Sequence, residues 1–303
     1  MTWNRRQFLA RSSAAFSALL LPTAGFASLF TSEQPEPSFT PLRGDLGIFN
    51  MSGGTILYYL TDDAFVMVDS QFPQSAQVCL DGLRKESQRK IDYLINTHHH
   101  GDHTGGNGVL KEHTKVILAH ANVTENLKAA ATAERPAPPG PTETYTSEKH
   151  TVKAGAETIS LYYQGRAHTS GDSVVHFENA NIAHMGDLVF NRSHPYIDRP
   201  RGAHLANWVT VMEKTVARLD KDTLYIFGHG SGGVQGTADD LTYFGNYINE
   251  VLTQTKKAVD AGMDLTEATE TVKLNGFDDV QNLGRRLNLG FVVAQAYGEL
   301  TDS

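Results

Sequence analysis

Residues 97–106 read Thr97-His98-His99-His100-Gly101-Asp102-His103-Thr104-Gly105-Gly106, directly after the apolar run Ile91–Asn96. That run predicts a strand that feeds the histidine cluster. In extended backbone, residues two apart point to the same side, so His98 and His100 face one common position. Asp102 and His103 fall where the chain turns into a short helix near Thr104, aimed at a second position close by. Imidazole and carboxylate are the donors that Zn²⁺ takes at a hydrolytic site, so the spacing predicts a metal centre at a strand end. His99 alternates away from that side and is expected to pack against its surroundings.

Outward from this stretch the chain alternates short strands with helices. Thr55–Leu60 and Ala64–Asp69 flank the polar turn Thr61-Asp62-Asp63, which predicts a hairpin. Pro73 opens a stretch with helical spacing (Ala76, Leu80, Leu83), and Cys79 falls within it as a small buried hydrophobe. Strands are expected at 116–119, 158–163, 173–177, 182–185 and 223–227. Helices are expected at 206–219, 238–261, 266–274 and around 283–297. The Ala-, Pro- and Thr-rich stretch 129–147 reads as one long irregular loop, a candidate substrate wall together with 190–204 and its Tyr196, Arg199 and Arg201. No internal repeat or composition break divides this part. Short strands with interspersed helices predict a layered α/β fold, with the polar clusters at strand ends where sites form in such sheets.

The 303 residues are 40% hydrophobic and 20% charged, with 27 Gly and 11 Pro, which excludes collagen-like, coiled-coil and wholly disordered chains. A formal charge of −8 argues against nucleic acid as a partner, because phosphate binding needs clustered Lys and Arg. The single cysteine cannot form an internal disulfide.

Residues 1–27 carry Arg5, Arg6 and Arg11, a short apolar run from Ala14 to Leu21, then Pro22 and the small residues Gly25 and Ala27. The run is too short to span a bilayer, so a cleaved signal peptide is expected rather than a membrane anchor. Arg5-Arg6 followed by Gln7-Phe8-Leu9 resembles a twin-arginine signal, which implies the export machinery as a partner and a periplasmic or otherwise exported protein. Removing this segment takes away three arginines and no acid, leaving −11. Residues 28–44 read as a flexible lead-in and 45–303 as one domain.

The segment His98–His103 resembles the signature of the metallo-β-lactamase superfamily, and further motifs of that family follow in order. Asp69 ends the strand F-V-M-V-D, His168 lies in G-R-A-H-T-S-G-D, Asp187 in H-M-G-D-L and His229 in F-G-H-G. The resemblance spans roughly residues 45–245. It implies a four-layer αββα sandwich with two zinc ions at one edge of the sheets. By that resemblance His98, His100 and His168 hold the first zinc and Asp102, His103 and His229 the second. Asp187 and a hydroxide bridge the two metals, and Asp69 supports the ligands from a neighbouring strand. Asp172 is expected to fix the loop after His168, and Arg166 to make a structural salt bridge.

The resemblance implies a hydrolase in which the bridging hydroxide attacks the carbonyl of a small-molecule ester, lactone, thioester or β-lactam amide, with Asp102 handling the proton. The most studied zinc β-lactamases carry Cys or Ser where this chain has Asp187, which leaves lactones and esters on a par with β-lactams. The competing class is a mononuclear iron persulfide dioxygenase of the same fold, which also retains the H-x-H-x-D-H residues. His100 argues against the diiron flavoprotein relatives, which carry Glu at a first-motif histidine.

Overall fold

In a computed structural model, which describes residues 36–302, alternation along the strands decides the layering. In one strand Val66 and Val68 point to one side and Phe65 and Met67 to the other, and both sets are buried. A strand apolar on both faces must be covered on both.

Seven strands form the first sheet in the order β1 (Ser38–Pro41), β2 (Leu46–Asn50), β3 (Ile56–Leu60), β4 (Phe65–Val68), β5 (Ile91–Ile95), β6 (Thr114–His120) and β7 (Glu143–Tyr145). The pairs β1/β2, β2/β3 and β3/β4 are antiparallel, and the pairs β4/β5, β5/β6 and β6/β7 are parallel. The second sheet is built on β8 (Lys149–Ala154), β9 (Glu157–Tyr162), β10 (Val174–Phe177), β11 (Ile182–His184), β13 (Leu224–Ile226) and β15 (Gln235–Gly236), with β11 and β13 parallel. The short strands β12 (Phe190–Asn191) and β14 (His229–Gly230) pair separately.

The two sheets face each other through Leu57, Val66, Val68 and Ile95 on one side and Ile159, Val175, Phe177 and Ile226 on the other. On the outer face of the first sheet, Phe65, Met67 and Leu94 pack under helix α1 (Pro73–Leu83). That helix buries Ala76, Cys79, Leu80 and Leu83, spaced as a single helical stripe. A short turn of helix, α2 (Gly101–Thr104), carries the end of the histidine cluster. Helix α3 (Ala121–Ala130) follows β6. Over the second sheet lie α4 (Leu205–Arg218), α5 (Ala238–Asp260) and α6 (Leu289–Thr301), packed on Val174, Met185, Tyr225 and Phe227. The architecture is therefore two sheets flanked by helices, the αββα arrangement.

The sequence reading differs from this structure at several places, one of them Glu143–Tyr145, which is strand β7 paired with β6 inside the stretch 129–147 read as one irregular loop. Ser38–Pro41, within the stretch read as a flexible lead-in, is an edge strand paired with β2, a position that tolerates Pro41. Residues 121–130 form a helix, and β8 was missed altogether. The last helix begins at Leu289 rather than near 283, capped by the Asn288 side chain, which accepts from the Phe291 N–H at 2.9 Å. The signal-peptide reading of residues 1–27 lies outside the described residues. Among the described residues no helix is long and apolar enough to cross a membrane.

Candidate metal centre

The C-terminal ends of parallel strands from both sheets meet at one edge. β4 leads directly into Asp69 and β5 through Asn96 into Thr97–His98. β11 leads through Gly186 to Asp187, and β13 through Gly228 to His229, while His168 comes from the loop between β9 and β10. Gly186 has φ +52°, and a Cβ there would sit 2.6 Å from Thr97 Oγ1. A Cβ at Gly228 would run into the Asp187 carboxylate. Only glycine lets both strand ends approach so closely.

Hydrogen bonds at the far side of each ring determine which nitrogen carries its proton. His168 Nδ1 lies 2.9 Å from the Tyr196 carbonyl, which can only accept, so Nδ1 is protonated and Nε2 holds a lone pair. His100 Nε2 lies 2.9 Å from the Asp198 carboxylate, so its lone pair is on Nδ1. Thr97 Oγ1 donates to Asp69 Oδ2 at 2.8 Å and therefore accepts from His98 Nδ1 at 3.1 Å, leaving the His98 lone pair on Nε2. These three lone pairs converge: His98 Nε2 and His168 Nε2 lie 3.1 and 2.9 Å from His100 Nδ1. Lone pairs cannot hydrogen-bond one another. They can share a cation, and nitrogen ligands about a tetrahedral Zn²⁺ stand roughly 3.3 Å apart.

A second group adjoins the first. His103 donates through Nδ1 to Asp69 Oδ2 at 2.7 Å and turns Nε2 toward His229 Nε2, 3.4 Å away. His229 Nε2 is 2.9 Å from Asp102 Oδ2. Between the groups lies Asp187, with Oδ2 at 3.6 Å from the Nε2 atoms of His168 and His229 and 3.8 Å from that of His98. Among the described residues its Oδ1 is buried without a hydrogen-bond partner in good geometry, with His103 Nε2 3.0 Å away as an ion-pair neighbour. An orphaned buried carboxylate oxygen among imidazole lone pairs fits a cation on either side.

The electrostatics run the same way. Burial, with the His103 ring beside it, pushes His98 well below the ordinary imidazole range, and burial with His100 takes His168 down to about 3. Both rings are neutral at pH 7. Burial works to raise Asp187, but the His103 and His229 rings outweigh it and hold the carboxyl well below its usual range. Asp102 is likewise brought to about 2 by His103 and His229 against the effect of burial. Burial opposes a proton on His103, yet Asp187, Asp69 and Asp102 raise it well above its ordinary value. Three carboxylates around one ring form a surplus of negative charge that calls for a cation.

All seven residues read from the sequence as ligands thus lie together, with Asp69 behind them. Asp69 is fully buried, and its Oδ1 accepts from the Thr97 N–H at 2.8 Å. Asp172 accepts from the Thr169 N–H and hydroxyl at 2.7 and 2.6 Å, holding the turn after His168. Sequence reasoning missed Asp198, which orients His100 and lies 3.5 Å from His99 Nε2. No spacing signal marked it, since it stands in an irregular loop 98 residues downstream of His100.

The expected substrate wall is corrected in part. An open cleft of about 350 Å³ over the cluster is lined by Phe190 and Tyr196, as read, and by Leu283 and Leu287, which were not. The 129–147 stretch does not line that cleft: its strand β7 extends the first sheet beside β6, and its Pro139 carbonyl accepts from Asn107 Nδ2 at 2.9 Å. Arg199 turns away to Asp302 (2.8 Å) and Arg201 to the Ala129 carbonyl (2.5 Å). Among the described residues Arg166 makes no salt bridge; its Nε donates to the Gly202 carbonyl at 2.7 Å.

Two facing sheets with a buried His and Asp cluster at their shared edge define a metal-binding α/β sandwich. The chain belongs to the metallo-beta-lactamase superfamily, whose sequence model matches residues 52–229, more than half of its length. It is 29% identical over 198 residues to a metallo-beta-lactamase type 2 of Bacillus sp. (strain 170), covering 63% of this chain and 73% of that one. It is 28% identical over 199 residues to a 2,4-dinitroanisole O-demethylase subunit alpha of Nocardioides sp. (strain JS1661), covering 64% and 58%. Among solved structures, a metallo-beta-lactamase from Pontibacter korlensis superposes with a TM-score of 0.61 at 16% identity, over 71% of this chain and 99% of that chain. That last likeness is one of fold.

Proposed function

We propose that this protein is an exported hydrolase that carries two zinc ions and uses water to cleave the acyl bond of a small-molecule ester, lactone, thioester or β-lactam amide. The observation that carries the reading is the convergence of three imidazole lone pairs beside a bridging carboxylate with an unpartnered oxygen. His98, His100 and His168 are suited to one ion, and Asp102, His103 and His229 to the other, with Asp187 between. A metal pair bound there supplies Lewis acidity and brings the pKa of a water toward neutrality. The relatives named as metallo-beta-lactamases support a metal-dependent hydrolase.

The chain's own groups then have distinct tasks. Asp198, Tyr196 and Thr97 keep the three rings in the ligating tautomer. Asp102 is ionised and partly open to the cleft, so it takes the proton of the attacking water and returns it to the leaving oxygen, sulfur or nitrogen. The water oxygen bonds to the carbonyl carbon as the bond to the leaving group breaks.

Metal analysis beside a panel of β-lactam, lactone, ester and thioester substrates tests this. About two zinc ions per chain are expected, with activity lost to a chelator and restored by zinc. One iron per chain, with oxygen uptake on a persulfide, would replace the hydrolase by the dioxygenase. The export part rests on residues 1–27: the double variant Arg5→Lys, Arg6→Lys is expected to leave the precursor in the cytoplasm. Unchanged delivery of that variant to the periplasm would remove the twin-arginine reading.

A further inference from the structure

The cleft over the cluster has two unlike halves. Its floor is polar, formed by His100, Asp102, Asp187 and His229, whereas its wall is Phe190, Tyr196, Leu283 and Leu287. No lysine or arginine among the described residues lines it. Among the described residues Leu283 is one of four large apolar side chains left well exposed, at 51%, and it lines this cleft.

The wall is held in place from several sides. Gln281 N–H donates to the Arg192 carbonyl at 2.9 Å, and His194 N–H to the Gln281 carbonyl at 3.2 Å. The turn closes on itself, with Leu283 N–H on the Leu287 carbonyl at 2.8 Å and Leu287 N–H on the Gly284 carbonyl at 3.1 Å. Behind it the Tyr196 ring lies parallel to Phe291 of α6, 5.8 Å between centroids at an angle of 5°. The turn lies outside residues 52–229, the part matched to the superfamily.

We propose that the turn Leu283–Leu287 determines specificity, and that the site takes uncharged substrates with an apolar alkyl or aryl body beside the scissile carbonyl. This rests on the reading of the site as a carbonyl hydrolase. A hydrocarbon arm placed against Leu283, Leu287 and Phe190 leaves water, a gain of about fourfold per buried methylene. A carboxylate on that arm loses its water against Leu283, Leu287 and Phe190 and meets no lysine or arginine there in return.

The test uses the metal-loaded protein and 4-nitrophenyl esters from acetate to hexanoate, beside a hexanoate-length ester ending in a carboxylate. kcat/KM is expected to rise at least tenfold from acetate to hexanoate and to fall at least tenfold on the terminal carboxylate. Leu283→Lys, at an exposed position, is expected to narrow both ratios at least threefold. A flat series, or a preference for the carboxylate ester, overturns the proposal while leaving the hydrolase intact. Should no ester or other carbonyl compound be hydrolysed, the hydrolase reading fails by itself, and calorimetry with alkyl phenyl ketones from acetophenone to hexanophenone decides the wall. Binding that tightens with chain length, and weakens in Leu283→Lys, supports it; affinity independent of length overturns it.

Discussion

Asp187→Asn is expected to bring bound metal toward one ion per chain and to lower activity on the order of a hundredfold or more. The carboxylate stands between the two groups, Oδ1 3.0 Å from His103 Nε2 and Oδ2 within 3.6–3.8 Å of three further imidazole nitrogens. Asparagine keeps the size but loses the charge that offsets the repulsion between two cations. Its amide also brings two N–H donors to a place crowded with lone pairs, so it can satisfy imidazoles that otherwise need a metal. The group built on Asp102, His103 and His229 has fewer histidines and a more open position, and its ion should leave first. Metal analysis and kcat on the same preparation read both effects. A variant that kept two metals and full activity would make Asp187 a structural residue and the dinuclear reading wrong.

Asp69→Ala is expected to lower the free energy of unfolding by about 3–5 kcal/mol, and to do so in chelator-treated protein as well. Asp69 is fully buried and accepts from the Thr97 N–H, the Thr97 hydroxyl and His103 Nδ1 at 2.7–2.8 Å. Alanine leaves all three donors without a partner in a place water does not reach. Its backbone is also left-handed, with φ +63°, which aspartate tolerates better than alanine, at a further cost of about 1 kcal/mol. Denaturant unfolding of wild type and variant, each with and without chelator, separates the two contributions. The loss without metal reports the hydrogen bonds, and any larger loss with metal reports His103 turning away from its ligating position. An unchanged midpoint in chelated protein would show that these three bonds do not stabilise the fold.

Several features were legible because they depend on near neighbours in the chain. Alternation put His98 and His100 on one side of a strand end, and the hairpin 55–69 followed from two apolar runs around a polar turn. Helices α1, α4 and α5 showed their buried stripes as plain periodicity, as in Leu205, Trp208, Val211, Met212 and Thr215. Where the pattern was weak, the reading failed. β8 is half exposed, with Lys149, Thr151 and Lys153 outward, and its alternation is nearly all polar. Helix α3 buries only Val123, Asn126 and Leu127, and its end runs into the Ala-, Pro- and Thr-rich stretch that follows. β1 is four residues long and ends in proline.

By itself the sequence determined the ligand types and their order, the strand that carries the first two histidines and the family to which the chain belongs. All of these are properties of residues a few positions apart or of motifs in a fixed succession. The tertiary structure alone decided that the Asp198 carboxylate fixes the proton on His100, that the Tyr196 carbonyl does the same for His168, and that Leu283 and Leu287 wall the cleft. Those contacts join residues 28 to nearly 190 positions apart, brought together only because parallel strands of two sheets end at one edge. Burial then sets the charge states, since a carboxylate or imidazole responds to whatever the fold places within a few ångströms of it, and no spacing along the chain records that.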